Sequence, residues 1–252
     1  MKFSVIIPVF NSAQTICRAI DSVLSQTYKD FEVIVVDDAS IDGSATLVAD
    51  RYGDQVSVLT LNKNSGSSSA RNAGIAIAGG DFLAFLDSDD SWHPEKLEVI
   101  SAVLVKRPDI SFIYHSYTLS GMSALSSGVD LSPKKLSYVR LMAGNVISTS
   151  CVVLKNGMGL NFANDMRYCE DYDLWLRVAY RYGVYLVDFP LTRLYRPIRS
   201  EGGISSALTA MRLGEMKAYG RLPGLNPFFS FLVPLLWMGS VAKHLLKKLR
   251  LI

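Results

Sequence analysis

The chain has 252 residues, of which 49% are hydrophobic, and its formal net charge is +3. This length suits one large domain, or one domain with an appendage, and the apolar fraction is sufficient for a sizeable core. Residues 225–252 hold four basic and no acidic side chains, so the other 224 residues carry a net charge of −1. A near-neutral body lacks the basic stripe of nucleic-acid-binding proteins, and nucleic acid is not expected as a partner.

Cysteine use and the first ten residues indicate where the protein works. Cys17, Cys151 and Cys169 show no CxxC spacing, and an odd number without a pattern predicts neither a disulfide framework nor a zinc site. Such a chain suits a reducing cytoplasm. The start, MKFSVIIPVF, has only a short apolar run before Pro8, which predicts a first strand rather than a signal peptide.

Predicted strands and helices alternate over the first half of the chain. Continuous apolar runs predict strands at 3–9, 31–36, 56–61 and 82–86. Apolar residues at helical spacing predict helices at 13–26, 44–52, 68–78 and 94–106. Apolar strands separated by helices indicate a parallel sheet covered on both faces. Ligands bind beyond the carboxyl ends of such strands, where polar residues cluster in this chain: Asn11, Asp37–Asp38, Asn62–Asn64 and Asp87–Asp90.

The second half is less regular. Its patterns predict strands at 110–114, 145–154, 184–187 and 191–195, and helices at 170–182 and 207–220. A Ser- and Gly-rich loop is expected at 118–133, and a loop rich in Gly, Ser and Arg at 196–206.

The stretch DFLAFLDSDDSW, residues 81–92, runs from a predicted buried strand into Asp87, Asp89 and Asp90. Clustered carboxylates repel each other and are costly to desolvate, so they need a compensating partner. Mg²⁺ and Mn²⁺ fit that need, because such sites use one or two protein carboxylates and fill the remaining positions with phosphates and water. Taken alone, a solvated acidic turn explains the stretch equally well.

The four stretches SVIIPVFNSAQTICRAIDSVLSQTY, FEVIVVDDASIDGS, NSGSSSARNAGIAIAGGDFLAFLDSDD and CEDYDLWLRVA stand in the order and spacing of a known family. In these motifs the chain resembles the family 2 inverting glycosyltransferases of bacterial polysaccharide and O-antigen synthesis. The resemblance covers about residues 3–195 and is densest over 3–98. It implies the α/β fold called GT-A, which has a mostly parallel central sheet flanked by helices and binds a nucleotide sugar.

The resemblance also implies a nucleotide site. An aromatic ring at Phe10 would pack on uracil, and Asp38 would hydrogen-bond the nucleoside, although Phe10 alone also fits an ordinary core position. Asp87-Ser88-Asp89 would be the family's DxD motif, with Asp89 on Mn²⁺ or Mg²⁺ and Asp87 near the ribose or a metal-bound water. Arg71 is a candidate diphosphate or base contact, with a surface arginine as the alternative. The full expected nucleotide set is Pro8, Phe10, Asn11, Asp38, Gly66, Arg71, Asp87 and Ser88.

Glu170 and Asp171 open the predicted helix EDYDLWLRVAYRY. Helical spacing aligns Asp171 with the apolar residues Leu174, Trp175, Val178 and Tyr182, so it should face the interior or the cleft. Glu170 aligns with the polar side of the helix, and complementing the helix dipole would explain it. The family places its general base at this pair, and Asp171 is the expected one. The resemblance implies one in-line displacement with inversion, in which Arg196 and Arg199 are possible diphosphate contacts.

The C-terminal segment differs in character from the body. Residues 222–242 are uncharged but contain Pro223, Pro227 and Pro234, which makes them a poor membrane span. Beyond them, apolar residues and basic residues are expected on opposite helical faces, as in an interfacial helix that binds anionic lipid. Packing on the domain or on a second subunit is the alternative. The apolar face would hold Ala242, Leu245, Leu246, Leu249 and Ile252, and the basic face Lys243, His244, Lys247, Lys248 and Arg250.

The expected organisation is a GT-A domain over 1–221, with a nucleotide-binding half at 1–98 and an acceptor-binding half at 99–221, followed by a membrane-associating tail at 222–252. The expected function is metal-dependent inverting transfer from a nucleotide sugar to a glycan on a polyprenyl diphosphate lipid, at the cytoplasmic face of the cell membrane. A UDP-sugar is the leading donor, and GDP- and dTDP-sugars stay open. A non-catalytic nucleotide-sugar-binding or scaffold protein is the main alternative. A nucleotidyltransferase is disfavoured because PVFNSAQT offers no Gly-rich phosphate loop.

Overall fold

The computed structural model describes residues 1–159, 161–196 and 207–248. Within them, nine strands form one sheet, and eight α-helices accompany it. The strands are β1 Phe3–Val9, β2 Phe31–Asp37, β3 Ser57–Thr60, β4 Phe82–Phe85, β5 Ser91–Trp92, β6 Phe112–Thr118, β7 Lys134–Lys135, β8 Val152–Lys155 and β9 Tyr185–Arg193. The helices are α1 Ile16–Leu24, α2 Ser44–Tyr52, α3 Ser67–Ile77, α4 Lys96–Lys106, α5 Tyr138–Met142, α6 Glu170–Tyr182, α7 Leu208–Arg221 and α8 Phe229–Lys248.

The strand order is β3-β2-β1-β4-β8-β6-β9-β5, and β7 pairs with β9. The first four strands are parallel, which confirms the parallel sheet predicted for the first half. Strand β8 pairs antiparallel with both β4 and β6, so the sheet continues as a mixed one through the second half. Because β1, β2 and β4 run in the same direction, the polar residues that follow them meet at one edge of the sheet.

The core lies on both faces of this sheet. Alternate residues of β1, such as Val5 and Ile7, join the cluster that includes α1 and α4. Ile6 points to the other face and joins the cluster built by β4, β6, β8, α6 and α7. In that second cluster Trp175 of α6 packs against three phenylalanine rings. This packing holds α6 rigidly against the sheet and thereby fixes the position of its first turn.

Two predicted segments of the second half differ in the structure. The strand expected at 145–154 begins only at Val152, after a 3-10 turn at Thr149–Cys151. The residues before Val152 instead direct polar side chains toward the acidic residues described below. The two short strands expected at 184–187 and 191–195 form one strand, β9, that includes Pro190. Strand β9 accommodates Pro190 where its pairing with β6 shifts register.

The C-terminal segment forms one continuous helix, α8, with Pro234 inside it. The prolines that make this segment a poor membrane span by sequence do not interrupt the helix over 229–248. The window Phe229–Leu246, with a mean hydropathy of 1.4, meets the length and composition of a membrane span, a test that core helices also pass. One face of α8 packs on the domain through Phe229 and Val233. The opposite face leaves large apolar side chains exposed: Phe231, Leu235, Met238 and Leu245.

Candidate active site

Arg71 of α3 joins the acidic turn after β4 to the start of α6. Its Nη2 lies 2.8 Å from Oδ1 of Asp87, and its Nη1 lies 3.2 Å from Oε1 of Glu170. Burial alone lowers the pKa of Arg71, but the charges of Asp87 and Glu170 outweigh it and raise that pKa. Arg71 is 5% exposed, so the surface alternative is wrong. In this structure the guanidinium serves to hold two acidic segments side by side.

Glu170 does more than complement the dipole of α6. Its Oε1 also accepts a hydrogen bond of 2.9 Å from the hydroxyl of Ser67, the first residue of α3. The first turns of α3 and α6 therefore meet at this carboxylate. The polar side of α6 is also covered further along the helix, because Asp173 is buried and pairs with Arg177 and Arg221. The reason is tertiary, since α7 supplies Arg221 to that face.

Asp171 is half-buried, as its alignment with the apolar stripe predicted. Its Oδ2 accepts hydrogen bonds from Nδ2 of Asn145 at 3.1 Å and from the hydroxyl of Thr149 at 3.5 Å. The N–H of Tyr172 donates to Oδ1 at 2.7 Å. Burial raises the pKa of Asp171 to about 7, and the charge of Glu170 adds to the rise. A carboxyl that titrates near neutral pH is suited to accept a proton.

The acidic turn separates into two accessible carboxylates and one buried one. The side chains of Asp87 and Asp89 are 36% and 35% exposed, whereas Asp90 is buried. Burial and the charge of Asp87 raise the pKa of Asp90 to about 8. Burial and the charge of Asp87 also raise the pKa of Asp89, against the opposing charge of Arg196. The turn therefore carries accessible negative charge at Asp87 and Asp89, which Arg71 and Arg196 offset in part.

These residues fit a hard divalent cation that binds together with a nucleotide. Across 1–159, 161–196 and 207–248, no group of three or more His, Cys, Asp or Glu side chains is arranged to hold a metal ion. A Mg²⁺ or Mn²⁺ site needs only one or two carboxylates when phosphates and water complete it. Asp89 and Asp87 supply accessible oxygen atoms whose mutual repulsion a cation would relieve.

Ser150 organises the acidic turn from below, and sequence patterns did not identify it. Its hydroxyl accepts from the N–H of Asp87 at 3.1 Å and donates to Oδ2 of Asp90 at 2.6 Å. Its carbonyl accepts hydrogen bonds from three buried side chains: Nε1 of Trp92, Nζ of Lys96 and Oγ1 of Thr192. Burial lowers the pKa of Lys96 well below its usual range. Ser150 lies in the segment predicted as plain strand, so periodicity carried no signal for this role.

The residues expected at the nucleoside lie at the ends of β1 and β2. Phe10 is 48% exposed, so its placement in the core, the alternative reading, is wrong. Asn11 has a φ of 50° and accepts the N–H of Ile41 through Oδ1. Asp38 is buried and accepts the N–H groups of Ser65 and Gly66 at 2.8 and 2.7 Å. Asp38 thus ties the loop before α3 to the end of β2. Pro8, one residue before the end of β1, pairs with Val36.

Arginine and tyrosine side chains cluster on the other side of the acidic turn. Arg18 donates to the carbonyl of Asp89 at 2.6 Å and stacks 3.6 Å above the ring of Tyr195. Arg193 stacks 4.3 Å from the same ring. The hydroxyls of Ser88 and Ser12 lie 2.8 Å apart. Sequence reasoning assigned Arg18 only to a helix, although it stands in the first of the four motif stretches.

The structure describes only Arg196 of the two arginines predicted to contact the diphosphate. Arg196 is exposed, and its Nε lies 3.8 Å from Oδ2 of Asp89. Arg199 lies outside the described residues. Among the sequence-predicted residues, the structure therefore brings Arg71, Asp87, Glu170 and Asp171 together, and Arg196 beside Asp89.

Comparisons with known proteins identify the family of this chain. The family model described as "Glycosyl transferase family 2" matches residues 4–139. Escherichia coli WfgD, named a UDP-Glc:alpha-D-GlcNAc-diphosphoundecaprenol beta-1,3-glucosyltransferase, is 35% identical over 69% of this chain and 68% of its own. The chain thus spans about two thirds of the length of that relative.

Solved structures share the fold. S. aureus TarS 1-349 in complex with UDP-GlcNAc has a TM-score of 0.69 at 22% identity, covering 98% of this chain and 81% of its own. The mannosyltransferase PcManGT from Pyrobaculum calidifontis, in complex with GDP-Man and Mn²⁺, has a TM-score of 0.66 at 17% identity, covering 95% and 73%. The expected α/β fold is confirmed by these likenesses, and the family by the matches above: the chain belongs to glycosyl transferase family 2.

Proposed function

We propose that the protein transfers a sugar, with inversion, from a UDP-sugar to a hydroxyl of a lipid-linked glycan. The observation that carries the proposal is the double pairing of Arg71 with Asp87 and Glu170. This pairing brings the acidic turn, which suits a nucleoside diphosphate and its cation, next to the half-buried Asp171, which suits a base. An enzyme that displaces a nucleoside diphosphate from a sugar needs the nucleotide site and the base in the same cleft.

The donor would bind along the ends of β1, β2 and β4. The exposed ring of Phe10 offers a face for uracil, and the lone pairs of Asp38 not used by the loop amides accept from the nucleoside. Asp87 would lie by the ribose. Pro8, Asn11, Gly66 and Ser88 would complete the wall. The UDP-Glc in the name of WfgD, and the UDP-GlcNAc complex of TarS, support uracil as the base.

Asp89, assisted by Asp87, would hold Mn²⁺ or Mg²⁺ with the diphosphate of the donor. When bound there, the cation supplies Lewis-acid neutralisation of the charge on the departing nucleoside diphosphate. The Mn²⁺ in the complex of PcManGT supports this choice of cofactor. Arg196, at 3.8 Å from Asp89, is placed to contact the same diphosphate, and Arg199, three residues further along the chain, is a second candidate for that contact.

Asp171 would act as the general base. Its ionised carboxylate takes the proton of the acceptor hydroxyl while that oxygen attacks the anomeric carbon. The bond from that carbon to the diphosphate oxygen breaks on the opposite side, so UDP leaves and the configuration inverts. Asn145 and Thr149 orient the carboxylate, and Glu170 helps to keep its pKa high enough for proton transfer.

The C-terminal helix and the name of one relative support the proposed acceptor and location. WfgD carries a diphosphoundecaprenol acceptor in its name. The exposed apolar face of α8 would lie on the inner face of the cytoplasmic membrane, where such lipids present their glycans. On this proposal residues 1–221 form the GT-A domain, with halves 1–98 and 99–221, and residues 222–252 form the membrane-associating tail.

Calorimetric titration tests the donor site. The purified protein is titrated with UDP, GDP and dTDP, each with and without Mn²⁺, beside Asp89→Asn and the exposed loop control Asp130→Asn. We expect UDP to bind in a Mn²⁺-dependent way, and we expect Asp89→Asn alone to lose that binding. Binding of GDP or dTDP instead would replace the donor class. Failure of all three nucleotides to bind would overturn the proposed site.

A further inference from the structure

A cavity of about 240 Å³ is lined in part by Asn145, which donates a hydrogen bond to the proposed base. It is enclosed by the turn after α5, the start of α7 and the middle of α8, and its lining includes Arg140, Asn145, Met211, Arg212, Ser240 and Lys243. It is smaller than the range of about 300–1,000 Å³ that is typical for drug-sized ligands. Its size therefore suits a compact polar group.

The lining is rich in positive charge. Arg140, Arg212 and Lys243 all face this space. Over the part of the chain that the structure describes, neither Arg140 nor Arg212 forms an ion pair, and Nε of Arg212 is buried without a hydrogen-bond partner. Leu208, the first residue of α7, also lines the cavity, so the positive end of a 14-residue helix adds to the field.

One acidic residue of the lining, Glu215, offsets only part of this charge. Its carboxylate accepts hydrogen bonds from Tyr219 at 2.9 Å and from Ser240 at 2.6 Å. Nζ of Lys243 lies 3.8 Å from the same carboxylate and also donates to the carbonyl of Ala143. Glu215 thus anchors Lys243 at the cavity wall, and the two arginines keep an excess of positive charge for an anion.

The cavity adjoins both the proposed base and the exposed apolar face of α8. Asn145 and Tyr172 both line the cavity. The side chain of Asn145 and the backbone N–H of Tyr172 each donate a hydrogen bond to the carboxylate of Asp171. On α8, Ser240 and Lys243 face the cavity, while Met238 and Leu245 on the opposite side are exposed. A ligand seated here has its anionic group beside the base and lies within reach of a membrane surface.

We infer that this cavity binds the diphosphate of the lipid-linked acceptor. The inference rests on the proposed function and deepens it by assigning the acceptor's anionic head group to Arg140, Arg212 and Lys243. Because Asn145 lines the cavity and donates to Asp171, a diphosphate bound there brings the sugar attached to it close to the proposed base.

The test uses the full chain with its donor site already filled by UDP and Mn²⁺. Binding of farnesyl diphosphate in detergent micelles is measured by calorimetry for the natural sequence, for the double variant Arg212→Gln/Lys243→Gln, and for the control Lys106→Gln on the exposed last turn of α4. An unchanged far-UV circular dichroism spectrum shows that each variant is folded, whether or not UDP binds. We expect the double variant to lose at least about tenfold in affinity, because it removes charge-assisted hydrogen bonds, and the control to lose none.

Several outcomes would overturn the inference. They are failure of the natural sequence to bind farnesyl diphosphate, equal binding by the double variant, or displacement of farnesyl diphosphate by excess UDP. Vesicles of phosphatidylglycerol form a separate arm. One outcome is that the vesicles bind the natural sequence and bind the double variant more weakly by the same factor as farnesyl diphosphate does. In that case the cations serve a general anionic membrane surface and the diphosphate assignment fails. Absence of UDP binding by the natural sequence would defeat the proposed donor site but leave the farnesyl diphosphate measurement readable.

Discussion

The side-chain amide of Asn145 lies 3.1 Å from Oδ2 of Asp171, although 26 residues separate them in the chain. Asn145 reaches this position because the segment before β8 is a loop rather than a strand. The amide stabilises the ionised carboxylate, while burial and Glu170 oppose ionisation. The same amide lines the cationic cavity. Asn145 therefore connects the proposed general base with the proposed binding site for the lipid-linked acceptor.

Replacing the base tests the catalytic assignment. We expect Asp171→Asn to lower sugar transfer by about 10²- to 10⁴-fold, because general-base catalysis contributes on that order. UDP binding with Mn²⁺ should be unchanged. UDP release from a panel of UDP-sugars with a lipid-linked acceptor fraction measures the transfer, with the exposed Asp54→Asn as the matched control. Undiminished transfer by Asp171→Asn would show that another group is the base.

The pH profile tests the environment of Asp171. A base acts in its ionised form, so kcat should rise with pH as Asp171 loses its proton near pH 7. Asn145→Ala removes a donor that favours the carboxylate. The pKa of Asp171 should then rise, and the acidic limb should move to higher pH by roughly half a unit to one unit. The exposed Asn161→Ala is the control. An acidic limb that stays in place in Asn145→Ala would contradict the assigned contact.

Ser150 should matter for both stability and nucleotide binding. Ser150→Ala leaves the buried Asp90 and the N–H of Asp87 without their common partner. We expect the free energy of unfolding to fall by about 1–3 kcal/mol, and Mn²⁺-dependent UDP affinity to fall as the acidic turn loosens. Urea unfolding and calorimetry measure the two effects. The exposed Ser127→Ala should change stability by less than about 0.5 kcal/mol. Normal UDP affinity in Ser150→Ala would show that nucleotide binding at the acidic turn does not depend on the Ser150 hydroxyl.

Phe10 offers a test of base stacking that does not compromise the fold. Phe10→Ala should weaken UDP binding by about 1–3 kcal/mol, the usual contribution of an aromatic ring stacked on a base. Stability should hardly change, because the side chain is 48% exposed. Ile77→Ala, 52% exposed at the end of α3, is the control. If Phe10→Ala bound UDP as well as the natural sequence, the nucleoside would have to lie elsewhere.

Much of the fold was predictable from the first hundred residues. Apolar runs separated by helical patterns predicted β1, β2, β3 and β4 within one or two residues, because a parallel strand is buried on both faces and reads as an uninterrupted apolar stretch. The polar residues after those strands were predictable for the same reason, since parallel strands end at one edge. The inward direction of Asp171 followed from helical spacing alone.

The rest depended on contacts between distant segments. Side-chain types at 145–150 carry no helical or alternating signal for a loop that supports the base and the acidic turn. Arg71 was predicted as a diphosphate or base contact, with a surface arginine as the alternative, and its pairing with Glu170 appears only when α6 lies beside α3. The sequence by itself determined the family, the parallel half of the sheet and the identity of the acidic residues, because these depend on local patterns. Only the tertiary structure decided which carboxylates are buried, which arginine pairs with them and which face of α8 stays exposed, because burial and pairing are set by segments that are remote in the chain.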